Sequence, residues 1–215
     1  MERKRVMSYI KEACVGHYEE AKRAALLGAD RIELCDNLKE GGTTPSYGSI
    51  VLTNKLPNIT VNVIIRPRGG HFIYSDAELE IMRKDIEICK HLQVHGVVFG
   101  VLNKDNKIDR EKMKGLINAA KPLSVTFHMA FDEIENKKEA IDLLIDLGVD
   151  RILTKGGEES AIKNLSIIKD LIRYAGNRII IMPGGGIHNQ NIEMVVKQTG
   201  ATELHGTKIV GVLSD

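Results

Sequence analysis

Two cysteines in the first part of the chain are of a type and at a spacing that suit a soft metal ion. Cys14 and Cys35 each stand at the end of a short apolar run with the character of a β-strand. Neighbouring strands lie about 4.8 Å apart, so two thiolates at the ends of adjacent strands can share one ion. Sulfur ligands favour Cu(I), which accepts low coordination numbers, whereas a closed zinc site needs two more ligands. The pair indicates either a Cu(I) site or two small buried apolar side chains, as free cysteines commonly are.

A second group of candidates carries charge and could perform acid–base chemistry. Its members are Glu12, Glu33, Arg66, Arg68, His128 and Asp132. Because a buried ion needs a partner, we expect the two glutamates to pair with the two arginines. Such pairing would be a purely structural role. The functional alternative is that the arginines hold an anionic ligand while Glu33 or His128 moves a proton near neutral pH.

A glycine-rich segment and one lysine complete the set of candidates. Gly184, Gly185 and Gly186 would let backbone amides approach an oxyanion closely, although such segments are also common as simple turns. His205 comes at the end of a later apolar run and is included with this anion-binding group. Lys155 could form a Schiff base if it were desolvated, but a solvated loop lysine is the commoner case.

The elements that must position these residues repeat along the whole chain. Eight short apolar runs each stop at a polar or glycine-rich cluster, and the first seven clusters lead into helix-like stretches. This pattern predicts a (β/α)₈ TIM barrel, in which the C-terminal ends of all strands surround one cavity. The runs end at Glu12–Cys14, Glu33–Cys35, Arg66–Arg68, Phe99–Gly100, Thr126–His128, Thr154–Lys155, Pro183–Gly186 and His205–Gly206.

The alternation of side chains along each strand sets which of them face the barrel interior. Glu12 and Cys14 should point inward on the first strand, and Glu33 and Cys35 on the second. We predict strands at 31–35, 61–66, 96–101, 123–128, 151–154 and 179–182, and helices at 18–27, 109–120 and 136–147. The pentapeptide GADRI at 28–32 is echoed by GVDRI at 148–152, half a barrel later. The glycine-rich segment then follows strand 7, where phosphate sites recur in this fold.

Length and composition favour one domain with small partners. The 215 residues suit a single barrel over 1–215, with residues 1–7 as a flexible N-terminal extension. Lys and Arg total 30 against 29 Asp and Glu, and Trp is absent, so no nucleic-acid footprint is expected. The apolar runs are too short for a membrane span, and no export signal precedes them. We therefore expect a cytoplasmic protein with reduced thiols that binds a copper ion or a small anionic molecule.

The last strand is followed by few residues, which predicts that the eighth helix is short or missing. The gap between strands 8 and 1 would then expose apolar surface. We expect a homodimer or higher homo-oligomer to cover it.

Seven segments together resemble the copper homeostasis protein CutC family. They are Gly28–Cys35 (GADRIELC), Gly41–Gly48 (GGTTPSYG), Ile65–Asp76 (IRPRGGHFIYSD), Gly100–Asp109 (GVLNKDNKID), Thr126–Asp132 (TFHMAFD), Arg151–Thr154 (RILT) and Gly184–Ile187 (GGGI). The resemblance spans roughly residues 8 to 208. It implies a cytosolic TIM barrel, dimers or higher oligomers, an association with copper tolerance and Cu(I) ligation at barrel-mouth cysteines, here Cys14 and Cys35.

Two positions differ from the family pattern. Met129 stands where many relatives carry Arg, and Lys155 replaces a small residue. The leading hypothesis is a Cu(I)-binding homeostasis protein. The alternative is an enzyme that acts on a small phosphorylated or carboxylated substrate through Arg66, Glu33 and His128, and a lysine-dependent aldolase is a third possibility.

Overall fold

Eight parallel strands form one sheet in the computed structural model, which describes residues 8–213. The strands are β1 (Ile10–Val15), β2 (Arg31–Leu34), β3 (Thr60–Ile64), β4 (Gly96–Phe99), β5 (Ser124–Phe127), β6 (Arg151–Thr154), β7 (Ile180–Pro183) and β8 (Glu203–Gly206). Their order is β7-β6-β5-β4-β3-β2-β1-β8, and β7 also lies against β8. The predicted TIM barrel is confirmed.

Helices connect successive strands on the outside of the barrel. They are α1 (Tyr18–Leu26), α2 (Tyr47–Thr53), α3 (Asp76–His91), α4 (Arg110–Ala120), α5 (Lys137–Leu147), α6 (Leu165–Ala175) and α7 (Ile192–Thr199). The strand and helix boundaries predicted above agree with these to within two residues. Residues 207–213 form turns without a helix, as expected for the missing eighth helix. The predicted N-terminal extension, residues 1–7, lies outside the described residues.

Backbone hydrogen bonds leave one seam in the barrel wall. Within residues 8–213, ladders join every neighbouring pair from β7 round to β8, but none joins β7 to β8. Just beyond these two strands, His188 and Lys208 form a single parallel bridge, and Asn189 N donates to Lys208 O over 3.1 Å. The loops that follow β7 and β8 are therefore tied together above the seam.

The echoed pentapeptides make the same turn twice. Gly28 and Gly148 both adopt left-handed φ values, +84° and +81°, at the ends of α1 and α5. Each is followed by an aspartate that reaches back to the preceding strand: Asp30 accepts from Lys11 N at 2.8 Å, and Asp150 from Val125 N at 2.7 Å. The repeat is a helix-to-strand turn that fixes where the next strand begins.

The apolar core lies between the sheet and the helices. Ile32 and Leu34 on β2 are fully buried in it, as are Val63 on β3 and Val97 on β4. Alternate positions on the same strands must then face the barrel axis. Register places Glu12 beside both Arg31 and His205, and Cys14 beside Glu33. In the described part of the chain, no helix has both the length and the apolar character needed to cross a membrane.

Candidate metal and ligand site

A cavity of about 490 Å³ opens at the C-terminal ends of the strands. Strands β1, β2 and β8 contribute to its lining, and so do the loops after β3, β5, β7 and β8. The polar and sulfur-bearing residues among them are Cys14, Glu33, Cys35, Arg66, His128, Met129, His188, His205, Thr207 and Lys208. Residues distant in the sequence thus meet at the face where barrels of this kind carry their chemistry.

The two predicted thiols lie together in this cavity. Three buried side chains meet here, those of Cys14, Glu33 and Cys35. The two Sγ atoms and one carboxyl oxygen lie within 4.8 Å of one another. Cys35 Sγ donates to Glu33 Oε2 over 3.6 Å. Ile64 and Val98 pack around the two cysteines. The inward orientation predicted from strand alternation is confirmed for these residues.

His205 connects this cluster to the carboxylate beneath it. Its Nδ1 lies 2.9 Å from Glu12 Oε1, and its Nε2 lies 3.6 Å from Glu33 Oε2. Burial by itself would lower the pKa of His205, but Glu33, Cys14 and Glu12 outweigh burial and raise it well above the usual value. The imidazole is therefore held in its protonated form between two carboxyl groups.

The remaining members of the cluster are displaced from their usual pKa values in opposite directions. The hydrogen bond from Cys35, assisted by His205, lowers the pKa of the Cys14 thiol to about 5 in spite of burial. Burial and the negative charge of Cys14 raise the pKa of Glu33 to about 8, although His205 acts the other way. The pKa of Cys35 is raised well above its usual value because Cys14 and burial hold its proton in place. Near neutral pH the cluster thus contains one thiolate and one thiol.

A buried ion network supports the site from below. Arg31 donates to both Glu12 and Glu203, and Arg151 Nε donates to Glu203 Oε2 over 3.1 Å. Asn62 Nδ2 adds a 3.1 Å bond to Glu12. Our sequence analysis missed Glu203 and Arg151. The signal was available for Glu203, because it stands two residues before His205 on the same strand and so faces the same way.

The two predicted arginines do not pair with the two glutamates, so that expectation is wrong. Arg66 donates to the carbonyl oxygens of Glu40 at 2.7 Å, Gly42 at 2.9 Å and Gly70 at 2.7 Å. Its guanidinium lies in the cavity lining and holds two loops in place. Arg68 lies outside that lining.

Arg68 instead fixes the start of α3. It binds Glu78 at 2.5 Å and the carbonyl oxygens of His71 at 2.8 Å and Ile73 at 2.9 Å. Glu78 in turn completes a capping box with Ser75. Arg68 therefore orders the loop after β3.

His128 lies in the cavity lining as a neutral imidazole. Its Nδ1 accepts from Ala130 N at 3.3 Å, which places the ring proton on Nε2. Burial, with Arg66 nearby, lowers the pKa of His128 to about 3. Phe72 packs against the ring at a tilt of 52°, with 4.7 Å between centroids. The Nε2 atom is buried and has no hydrogen-bond partner among residues 8–213.

Asp132 and Lys155 line a neighbouring pocket of about 550 Å³, which shares Phe72 and Met129 with the main cavity. Asp132 accepts from Thr154 Oγ1 at 2.5 Å and from Lys155 N at 2.9 Å, and burial raises its pKa. Lys155 Nζ donates to Glu158 O at 3.1 Å. These two residues sit beside the thiol cluster and are separate from it.

Gly185 and Gly186 of the glycine segment line the main cavity, whereas Gly184 does not. Gly184 N donates to Thr154 O at 3.0 Å, and Gly185 O accepts from Ala161 N at 2.9 Å, so the segment is anchored at both positions. His188 and Lys208, which our sequence analysis did not single out, share this wall.

A family model places the chain among known proteins. The model described as the CutC family matches residues 9–210. The chain belongs to the CutC family.

Individual CutC proteins are similar to this chain over most of their length. The chain is 50% identical to a family protein CutC of Parabacteroides distasonis over 93% of this chain and 82% of that protein. It is 46% identical to the human copper homeostasis protein cutC homolog, over 92% and 72% of the two chains. The crystal structure of a Streptococcus agalactiae protein described as a copper homeostasis protein CutC superposes with a TM-score of 0.90 at 43% identity, covering 94% and 99%.

Solved structures with much lower sequence identity share the fold alone. A protein described as an aldolase superposes with a TM-score of 0.71 but shares 14% of its sequence, over 98% of this chain and 95% of that one.

Proposed function

We propose that this CutC-family chain acts in copper homeostasis by binding Cu(I) at the barrel mouth through Cys14 and Cys35. The observation that carries the proposal is the convergence of both sulfur atoms and a Glu33 oxygen within 4.8 Å. Relatives named as copper homeostasis proteins support the same assignment.

The donor set fits Cu(I) better than the common alternatives. Soft sulfur donors select Cu(I), and two of them satisfy an ion that accepts low coordination. A structural zinc site would need four ligands, and Mg²⁺ or Ca²⁺ would need several oxygen donors. The cluster offers two sulfurs and one carboxyl group, with Ile64 and Val98 packed against the cysteines. His205 lies beside Glu33, at 3.6 Å.

The test is a competition titration of reduced protein with Cu(I) and a Cu(I)-specific chelator. The Cys14→Ser, Cys35→Ser double variant should lose more than about 100-fold in affinity, because even a hydrogen-bond partner of a metal ligand contributes about 10- to 100-fold. Cys89→Ala is the matched control, since Cys89 is a buried cysteine on α3 that does not line the cavity.

Two outcomes are informative in that titration. Unchanged affinity in Cys89→Ala together with loss in the double variant supports the assignment. Full Cu(I) affinity in a folded double variant, with its circular dichroism spectrum intact, would overturn it.

A second candidate function is acid–base catalysis on a small anionic substrate. It is favoured by Glu33 and His205, which contact each other in a cavity much larger than a metal ion requires. The measurement is exchange of substrate carbon-bound hydrogen with heavy water, followed by NMR across small carbonyl compounds that carry carboxylate or phosphate. Exchange that Glu33→Gln abolishes would support it, and no exchange with any compound would reject it.

Strands β8 and β1 are joined by a ladder, so the sheet has no gap there, and the missing eighth helix leaves only the outer face of these strands uncovered. We further infer that a second copy of the chain covers the apolar surface at this place. Ile10, Leu26, Leu27 and Val212 are all exposed there, Leu26 by 80%. Leu27 Cδ1 approaches Gly211, which connects the end of α1 to the segment after β8. Light scattering should show a dimer or larger assembly that Leu26→Asp dissociates, and a monomeric wild type would contradict this inference.

The proposed place of action is the cytoplasm. The three cysteines are free in the structure, which fits a reducing compartment. Cell fractionation would test this, and recovery of the protein outside the cytoplasmic fraction would refute it.

A further inference from the structure

The cavity has far more room than one copper ion needs. Its volume of about 490 Å³ falls inside the range of about 300–1,000 Å³ typical of sites for small organic ligands. The three groups proposed for copper account for one part of the lining. The opposite part comes from the loops after β7 and β8, residues 185–188 and 206–208.

Those loops present backbone donors without acceptors. Within residues 8–213, the backbone N–H groups of Gly185, Gly186, Ile187 and Thr207 donate no hydrogen bond to another protein group. Gly185 and Gly186 have φ values of +89° and +85°, which side chains other than glycine rarely adopt. Because Gly184 N and Gly185 O are bonded to neighbouring segments, these donors are held in place before any ligand arrives.

The charge of the lining favours an anion. The negative groups of the lining are the carboxyl group of Glu33 and the thiolate of Cys14. The cations are Arg66, Lys208 and the protonated His205. Among the described residues the Arg66 guanidinium donates to carbonyl oxygens and forms no ion pair with a carboxylate. Lys208 is exposed and has no carboxylate partner in the described part of the chain. Such a concave, positively charged surface attracts small anions.

His128, on another side of the cavity, has a buried N–H group that needs an acceptor oxygen. His128 is 5% exposed and lines the same cavity, and its Nε2 has no partner in the part of the chain that the structure describes. The atom carries the ring proton, because Nδ1 accepts from Ala130 N. A buried donor left without an acceptor is costly. Since Nε2 is shielded from solvent, an oxygen on the carbon part of a ligand would accept its proton after a small turn of the ring toward the cavity.

We propose that the cavity binds a small phosphate monoester, with the phosphate on the amides of Gly185, Gly186 and Ile187 beside Lys208, and a hydroxyl or carbonyl oxygen accepting from His128. Three adjacent amides and a lysine match the several oxygens and double charge of such a phosphate, and a glycine loop after β7 is a position where barrels often bind one. The proposal names a substrate class for the second candidate function, acid–base catalysis. Any reaction of the phosphate monoester rests on that proposed function, whereas its binding does not.

The test follows amide resonances of copper-free protein by NMR during titration with inorganic phosphate, glycerol phosphate or glycerol. Glycerol phosphate should saturate shifts at Gly185, Gly186 and Ile187 and bind more tightly than inorganic phosphate, since only the ester also reaches His128. Glycerol should shift none of these signals.

Two variants separate the phosphate contact from the contact of the carbon part. Lys208→Gln should weaken both phosphate compounds by about two- to five-fold, the range for one partly exposed charge contact. Lys197→Gln is the matched control, because Lys197 is an exposed lysine on α7 outside the lining. His128→Gln should weaken glycerol phosphate and leave inorganic phosphate unchanged.

Absence of saturable shifts in the glycine loop, or equal losses in Lys208→Gln and Lys197→Gln, would overturn the proposal. Equal affinity for inorganic phosphate and glycerol phosphate would also overturn it, because the carbon part would then contribute nothing. The titration uses copper-free protein and measures binding without turnover. Failure of copper binding or of catalysis is thereby distinguished from failure of this inference.

Discussion

The carboxylate of Glu12 allows a quantitative test of the barrel interior. It is completely buried and bonded to Arg31, Asn62 and His205. Burial raises its pKa, but His205 and Arg31 outweigh burial and lower the pKa from 4.5 to about 2. At about 1.4 kcal/mol per pH unit this difference corresponds to about 3 kcal/mol in favour of the folded state.

The substitution Glu12→Gln removes the charge and keeps the shape. Removing one partner of a buried ion pair typically costs about 3–5 kcal/mol, which agrees with the value from the pKa. Urea unfolding near neutral pH, followed by circular dichroism, should show this loss in the free energy of unfolding. Glu87→Gln is the control, since Glu87 pairs with Lys84 at 2.9 Å on the exposed surface and its loss should cost less than about 1 kcal/mol.

The pH dependence of the same measurement identifies the cause. Because the folded pKa of Glu12 is lowered, its contribution is complete above about pH 4.5 and declines as the pH falls toward about 2. With these two values, wild type should lose about 2 kcal/mol of this contribution by about pH 3, and Glu12→Gln should lose none of it. A constant difference between the two proteins over this range would refute the reasoning, as would a Glu12→Gln cost no greater than that of Glu87→Gln.

Three further predictions concern a thiol, a glycine and a helix cap. In copper-free reduced protein the ultraviolet absorbance of thiolate should rise near pH 5, because Cys35 lowers the Cys14 pKa to about 5, and Cys14→Ser should lack this step. Gly206→Ala should lower the unfolding temperature with a loss of about 1–3 kcal/mol, since its Cβ would lie 2.3 Å from Ile187 O; unchanged stability would contradict the close approach. Ser75→Ala should cost about 1 kcal/mol in urea unfolding because Ser75 caps α3, and a neutral effect would argue against the cap.

The sequence was sufficient to predict the barrel and the thiol cluster because both depend on local periodicity. Strand alternation alone determines that Cys14, Glu33 and Cys35 face the same interior. Their closeness then follows from the adjacency of β1 and β2 in a parallel barrel. The registers, Glu12 beside Arg31 and Cys14 beside Glu33, are as that argument requires.

The partners of the charged side chains could not be predicted in the same way. Arg66 and Arg68 follow β3 in a loop, where no periodicity fixes the direction of a side chain, and both turn to carbonyl oxygens. The partner of Arg31 that our sequence analysis missed, Glu203, is 172 positions away. Such a contact depends on closure of the barrel between β8 and β1, which no local pattern specifies. Phe72 and His188 could not be predicted as cavity-lining residues for a similar reason, because they lie in loops whose course no local pattern specifies.

The seam between β7 and β8 makes the mouth easier to widen there than elsewhere. Parting these two strands breaks no ladder, so the main cost is the His188–Lys208 bridge and side-chain packing. The loops on either side of the seam carry the amides of residues 185–187 and 207, which donate no hydrogen bond within residues 8–213, and also Lys208. A ligand that binds both loops would connect the two sides of this seam. Its binding would therefore slow amide hydrogen exchange in β7 and β8.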